Sequence, residues 1–236
     1  CNNKTETFVE DDCWDIFMTL NHKNIHADFI HKDSDFSKYK VIIFPHIVIA
    51  DEILENKINS FSSSGGIAII SARSGTKDLN AHYRPQKAPG VFRELCGCRV
   101  DWFTAMPEYE KQYVQLNEKK YLVESYYEML EIEDGESIGC YTEGFCKEKT
   151  AVVKNKNVYY LGFYCRESAD IYVEIIRKYI DVSENIDENL EEIIIGDYKM
   201  YLNHGDYEIP YSGYDIITEK EFDSIPPYGV ILVVND

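Results

Sequence analysis

Four residues carry the most reactive-looking chemistry in this chain: Arg73, Ser74, His82 and Arg84. A serine followed eight positions later by a histidine could pair a nucleophile with a base if the segment folded back. Nothing nearer in sequence supplies a base, and a serine before glycine at the end of an apolar run more simply stabilises a turn through side-chain hydrogen bonds. Three of the four are cationic or titratable in a strongly acidic chain. They therefore read as a binding or interface loop, with no catalytic residue among them. Cys96-Gly97-Cys98 is the nearest approach to a thiol site. A nucleophile elbow needs a sharp glycine-flanked turn after a strand, and no Gly-x-Cys-x-Gly is present. Zinc needs four well-spaced ligands, and no second cysteine pair stands at a suitable distance. The expectation is no metal and no cofactor. The 42 acidic residues guarantee chance carboxylate pairs, so such pairs alone assign nothing.

The elements around the loop have a clear pattern. Val41–Phe44 and Ile67–Ile70 contain no polar residue. A strand apolar on both faces belongs inside a sheet covered on both sides, which points to parallel pairing. Between them, Ile53, Leu54, Ile58 and Phe61 fall on one helical stripe. Asp51 can cap that helix, and Gly65-Gly66 can end it. This is a βαβ unit. Residues 71–90 leave the carboxyl end of its second strand, the edge where α/β folds place ligands.

Upstream, residues 11–21 read as a helix with Cys13, Trp14, Phe17 and Met18 inward, followed by a strand near 27–30. Downstream come a helical turn at 91–95, a strand at 99–105 and alternating strands from 109 to 141. A hairpin follows at 150–163 around Asn155-Lys156-Asn157. A last helix is N-capped by Ser168, with Tyr172, Ile175, Ile176 and Tyr179 inward. After a polar linker at 181–189, only strands are expected, at 190–195, 198–203, 215–217 and 230–234. The division is thus residues 1–182 and residues 188–236, the second too small to be more than marginal alone.

Charge narrows the partners. The net charge is −18, and residues 183–236 carry thirteen acids against two bases. Such a surface repels nucleic-acid backbones and anionic lipid. The seven cysteines are scattered and odd in number, which fits a reduced, cytoplasmic setting and no disulfide scaffold. No run is long enough to span a membrane. The chain begins at Cys1, as a lipid-anchored protein would and as an excised segment would. Nineteen tyrosines would suit either sugar-binding surfaces or strands and interfaces, and the second is the simpler reading.

The ordered motifs resemble the non-catalytic half of family 42 glycoside hydrolases, the bacterial β-galactosidases. They are Tyr39-Lys-Val-Ile-Ile-Phe-Pro-His46, Asp51-Glu52, Gly65-Gly66 and Arg73-Ser74-Gly75. Pro89-Gly90 with the short helix, Gly97-Cys-Arg-Val100, Ala151-Val-Val153 and Val158-Tyr-Tyr-Leu-Gly162 continue the series. Tyr198-Lys-Met-Tyr-Leu-Asn-His204 and Ile225-Pro-Pro-Tyr-Gly-Val230 resemble that family's small C-terminal β domain. The resemblance implies a glutamine-amidotransferase-like (flavodoxin-like) α/β domain, with a mostly parallel sheet and helices on both faces, followed by a small antiparallel β domain.

It further implies self-association as a homotrimer. The catalytic glutamates of the family sit on a (β/α)8 barrel of about 250 residues, and nothing in this chain corresponds to one. The sequence therefore reads as the oligomerisation and scaffold region of a β-galactosidase, whose partner is the missing barrel. The loop with Arg73, Ser74, His82 and Arg84 would make subunit contacts or line the mouth of a neighbouring barrel's sugar site. The alternative is a stand-alone amidotransferase-like hydrolase or a carbohydrate-binding protein. It would show an exposed reactive cysteine or affinity for sugar.

Overall fold

The crossover near residue 40 forms as its composition dictates. A computed structural model describes residues 9–107, 109–165, 169–182 and 186–235. Two compact units result: Cys1–Ile16 with Phe29–Tyr179, and Phe17–Asp28 with Ile180–Asp236. After α1 (Val9–Asn21) come β1 (Val41–Phe44), α2 (Glu52–Ser63) and β2 (Ile67–Ser71). β1 and β2 pair in parallel, from Val41 opposite Ile67 to Phe44 opposite Ile70. The Asp51 carboxylate accepts the Leu54 N–H at 2.9 Å and caps α2. Gly65, at φ +97°, ends it in a conformation that L side chains rarely adopt. Gly66 must also be glycine, since a Cβ there would lie 2.2 Å from the Phe61 ring.

α3 (Arg93–Cys96) and β3 (Cys98–Ala105) follow, then β4 (Gln112–Leu116), β5 (Lys119–Ile132), β6 (Glu136–Tyr141), β7 (Thr150–Asn155), β8 (Val158–Leu161) and β9 (Phe163–Tyr164). They complete a nine-stranded sheet ordered β1-β2-β8-β7-β6-β4-β5-β3, with β9 on β5. β8 lies parallel to β2, with Ile69 opposite Tyr159. The mostly parallel sheet expected from sequence holds for β1, β2 and β8 and stops there. Beyond β8 the pairings are antiparallel. Short turns explain the switch: the two residues between β7 and β8, and the two between β4 and β5, can only reverse the chain. The sheet is therefore mixed.

Its buried end is covered on both faces. Ala68 and Ile70 of β2 share a core cluster with Leu54, Ile58 and Phe61 of α2 and with Phe92 and Leu95. Ile67 and Ile69 point the other way and are equally buried. On that side the Tyr159 ring meets Tyr179, just past α4 (Asp170–Ile176), with ring centroids 6.2 Å apart. Ser168, the expected cap of α4, lies outside the described residues.

Three local expectations differ. Ile53 is 77% exposed, because it sits one residue, about 100° of helix turn, from Leu54 on the buried stripe. In α1 the inward residues are Asp12, Ile16 and Leu20, while Trp14 faces out. Residues 27–30 form no strand.

In the second unit, β10 (Leu190–Ile195), β11 (Tyr198–Asn203) and β14 (Val230–Val234) make an antiparallel sheet; β12 (Ile209–Asp215) and β13 (Lys220–Ile225) make a hairpin. Leu190, Tyr201, Ile209, Ile225 and Ile231 form their shared core. The strand expected at 215–217 does not extend past Asp215, the last residue of β12, where the chain turns. Asp215 accepts the Thr218 N–H at 3.1 Å and the Leu232 N–H at 3.0 Å, which stops β12 at that residue.

Candidate functional site

The loop leaving β2 is fastened from within. Ser74 is fully buried. Its hydroxyl donates to the Ser71 carbonyl at 2.7 Å and accepts the Ile47 N–H at 3.0 Å. A hydroxyl committed on both sides and closed to solvent is a fastener, not a nucleophile. Arg84 donates to the Glu52 carboxylate at 2.9 Å and to the Ala50 carbonyl at 2.8 Å, tying the loop to the start of α2. His82 stands at the exposed loop tip, 3.9 Å from the Asp78 carboxylate. Gly75 and Gly90 touch backbone to backbone, so that a Cβ on Gly90 would lie 1.9 Å from the Gly75 carbonyl oxygen. The four residues singled out from sequence thus do not converge: Arg73 and Ser74 stand at the strand end, with His82 and Arg84 elsewhere on the loop.

Arg73 enters a different constellation. Its backbone takes φ +66°. Its N–H donates to Glu128 Oε1 at 3.0 Å. Its guanidinium reaches the Tyr164 hydroxyl at 3.4 Å and lies over the Tyr126 ring at 5.6 Å from the centroid. Glu128, on β5, is 1% exposed and is the centre of the group. Tyr126 donates to its Oε1 at 3.0 Å and Tyr160 to its Oε2 at 2.7 Å. Burial pushes the Glu128 carboxyl above its ordinary range, and the Tyr160, Arg73 and Tyr126 donors pull it partly back. Sequence reading missed Glu128, Tyr126, Tyr160 and Tyr164. Their partners lie up to 91 residues away along the chain, and no local spacing announces such contacts.

His46 is buried beside this group, with its ring centroid 3.8 Å from that of Tyr164. Its Nδ1 donates to the Ala72 carbonyl at 2.9 Å, and its Nε2 lies 3.0 Å from the Asp12 carboxylate. Asp12, His46 and Cys165 line one small cavity with Ile16 and Tyr172, about the size of a single water molecule. A Cys-His-Asp set invites comparison with thiol hydrolases, but the geometry opposes it. Both imidazole nitrogens are engaged, leaving none to activate a thiol. Burial pushes the Cys165 thiol well above its ordinary range. The same holds for Cys96 and Cys98, core residues at the junction of α3 and β3. Among the described residues, no group of three or more His, Cys, Asp or Glu side chains could hold a metal ion. Many of the abundant tyrosines are core residues too, including Tyr141, Tyr159, Tyr160, Tyr164 and Tyr172.

Among the described residues of this site, Ser74 and Cys165 are buried and both His46 nitrogens are engaged; the polar network holds a strand end in place. Comparison with known proteins adds the remaining information. The family described as "Beta-galactosidase trimerisation domain" matches residues 2–186. The β-galactosidase BgaB of Geobacillus sp. (strain Y412MC61) is 25% identical over 207 residues, which are 83% of this chain and 31% of that protein. BgaA of Clostridium cellulovorans is 26% identical over 225 residues, 86% of this chain and 34% of its own. The chain spans about a third of the length of these curated relatives. Among solved structures, a β-galactosidase from Bacillus circulans sp. alkalophilus superposes with a TM-score of 0.86 at 19% identity, covering 98% of this chain and 38% of its own. One from Halorubrum lacusprofundi gives 0.79 at 21% identity, covering 94% and 35%.

Proposed function

The chain belongs to the β-galactosidase trimerisation domain family, and from that premise we propose that it is the self-associating scaffold of a family 42 β-galactosidase. The hydrolysis of terminal β-D-galactosides would be performed by a catalytic barrel in the rest of the enzyme. One observation carries this reading: the match takes in nearly all of this chain but only about a third of each relative. The remaining length is ample for a barrel of about 250 residues. The interior of the chain agrees. Glu128 is sealed among tyrosine hydroxyls, and a retaining glycosidase needs two carboxyl groups about 5 Å apart facing a sugar cleft.

Residues 1–182 would form the trimerisation domain, with an amidotransferase-like layer in β1, β2 and β8, and residues 188–236 the C-terminal β domain. Subunit contacts would include the loop at 71–90. There Arg73 and His82 would face the partner, while Ser74 and Arg84 hold the loop's shape. A cytoplasmic setting belongs to the same reading and is supported by the thiols of Cys96, Cys98, Cys140, Cys146 and Cys165, which form no disulfide. No helix among the described residues is long and apolar enough to cross a membrane.

The test is direct. Purified chain is expected to sediment as a trimer and to release no galactose from a chromogenic β-galactoside. Joined to the barrel of a family 42 enzyme lacking its own scaffold, it should restore the oligomer. Turnover by the isolated chain would sink the assignment.

A further inference from the structure

We propose that the open edge of β3, carrying Trp102 and Phe103, is the surface on which a second copy of this chain docks, with Arg73 receiving a carboxylate from that copy. This rests on the self-association proposed above and gives it a place on the molecule.

β3 is the last strand of the nine-stranded sheet. Its first half is closed off, since the Val100 N–H donates to the Ala88 carbonyl at 2.7 Å. Among the described residues its second half has no such cover, and it presents aromatic rings on both faces of the strand. Trp102 is 39% exposed and Phe103 62%. On one face Trp102 packs edge-on against Phe145, itself 76% exposed, at 5.6 Å between centroids. On the other, Phe103 stacks at 5.9 Å on Tyr126, whose ring also lies under the Arg73 guanidinium. An unpaired edge with apolar side chains on both faces is a surface that proteins otherwise cover or charge.

Composition and charge select the occupant. Tryptophan, tyrosine, phenylalanine, methionine and arginine are the residues enriched where protein surfaces meet. Nucleic acid and anionic lipid are disfavoured by the net charge of −18. Two copies bearing that charge repel each other, so an edge that receives an acidic neighbour must itself be free of acidic charge. Residues 102–107 are six consecutive uncharged residues in a chain that is 28% charged. Arg73 supplies the complement. Arg84, Arg93 and Arg99 each hold a glutamate of their own chain. Among the described residues, Arg73 meets only a hydroxyl and a ring. Half-buried and, among the described residues, without a counter-charge at its guanidinium, it fits a carboxylate from an acidic neighbour. Contact between the β3 edge of one copy and an acidic surface of the next is head-to-tail, as closed rings such as trimers require.

The experiment is sedimentation equilibrium of the full chain over a concentration series, with folding followed by circular dichroism. Phe103→Glu and Trp102→Glu should each weaken association by roughly 30-fold, the scale of an interface hot spot. Arg73→Gln should weaken it by about tenfold. Ile53→Glu, on the exposed side of α2, should leave the mass unchanged. Should Phe103→Glu lose its folded spectrum, Phe103→Ser is read in its place. A wild-type oligomer that the β3 variants leave intact would overturn this location while self-association stands. A wild-type chain that is monomeric throughout would overturn both.

Discussion

The two ends of the nine-stranded sheet use equally apolar residues in opposite ways. Near one end, β2, paired between β1 and β8, is buried along its whole length, between α2 on one face and the α4 side on the other. At the other, β3 begins buried and ends with both faces open. The apolar surface at the first end is buried when the chain folds; at the second it remains available for association. Hydrophobic character alone therefore does not separate a core strand from an interface strand. The number of layers covering the strand does.

The comparison can be tested first at its buried end. Ile69 is fully buried at the centre of β2. Ile69→Ala should cost about 3 kcal/mol in urea unfolding, within the range for core truncations that leave a cavity. A loss under about 1 kcal/mol would mean that this end is not the rigid centre of the unit.

Sequence legibility divides along the same line. The β1-α2-β2 crossover was readable because continuous apolar runs, an aspartate cap and a glycine stop all act within a few residues of one another. The helix α1 forms where expected, but its buried face differs because a stripe built on Asp12 violates the expectation that inward residues are apolar. Its reason lies 34 positions away in His46. Glu128 was invisible for the same cause: alternating strands contain many glutamates, and only the arrival of Tyr160 and the Arg73 backbone makes this one a core residue. Arg73, Ser74, His82 and Arg84 were found together because they share a loop. Sequence proximity could not reveal that Ser74 turns inward, Arg84 ties back to α2 and Arg73 crosses to β5.

A second test addresses the polar group between the two ends. The folded Glu128 carboxyl sits above its unfolded range, chiefly through burial. The folded state thus holds a proton that the unfolded chain has released. Its stabilising share is complete below the ordinary carboxylate range and is lost as pH rises through the folded value. Glu128→Gln removes that dependence while keeping an oxygen for Tyr126 and the Arg73 N–H. The Tyr160 hydroxyl can turn to accept from the new amide. As pH rises from the acid range towards neutrality, the gap between the two stability curves should move in favour of the variant. Parallel curves would show that Glu128 keeps its charge in the folded protein.

A smaller effect sharpens the role of local structure. Asp51 caps α2 through the Leu54 N–H. Asp51→Ala should cost about 1 kcal/mol, as cap removals commonly do. Asp51→Ser should recover most of it, because the cap needs only an acceptor at that position. Failure of the serine to rescue would move the explanation from the cap to the charge at the helix N-terminus.

The smallest expected effect carries the most weight for the comparison. Phe103→Ala removes as much ring as a core truncation would, yet its ring is 62% exposed where it stacks on Tyr126. Measured at a concentration low enough to keep the chain dissociated, its stability should change by less than about 0.5 kcal/mol. The same substitution at higher concentration should lower the apparent stability more, because association adds to the folded state only when the edge is occupied. A large loss at low concentration would place Phe103 in the fold's own core and remove the distinction between the two ends. A small loss that does not grow with concentration would leave the edge exposed but without a partner.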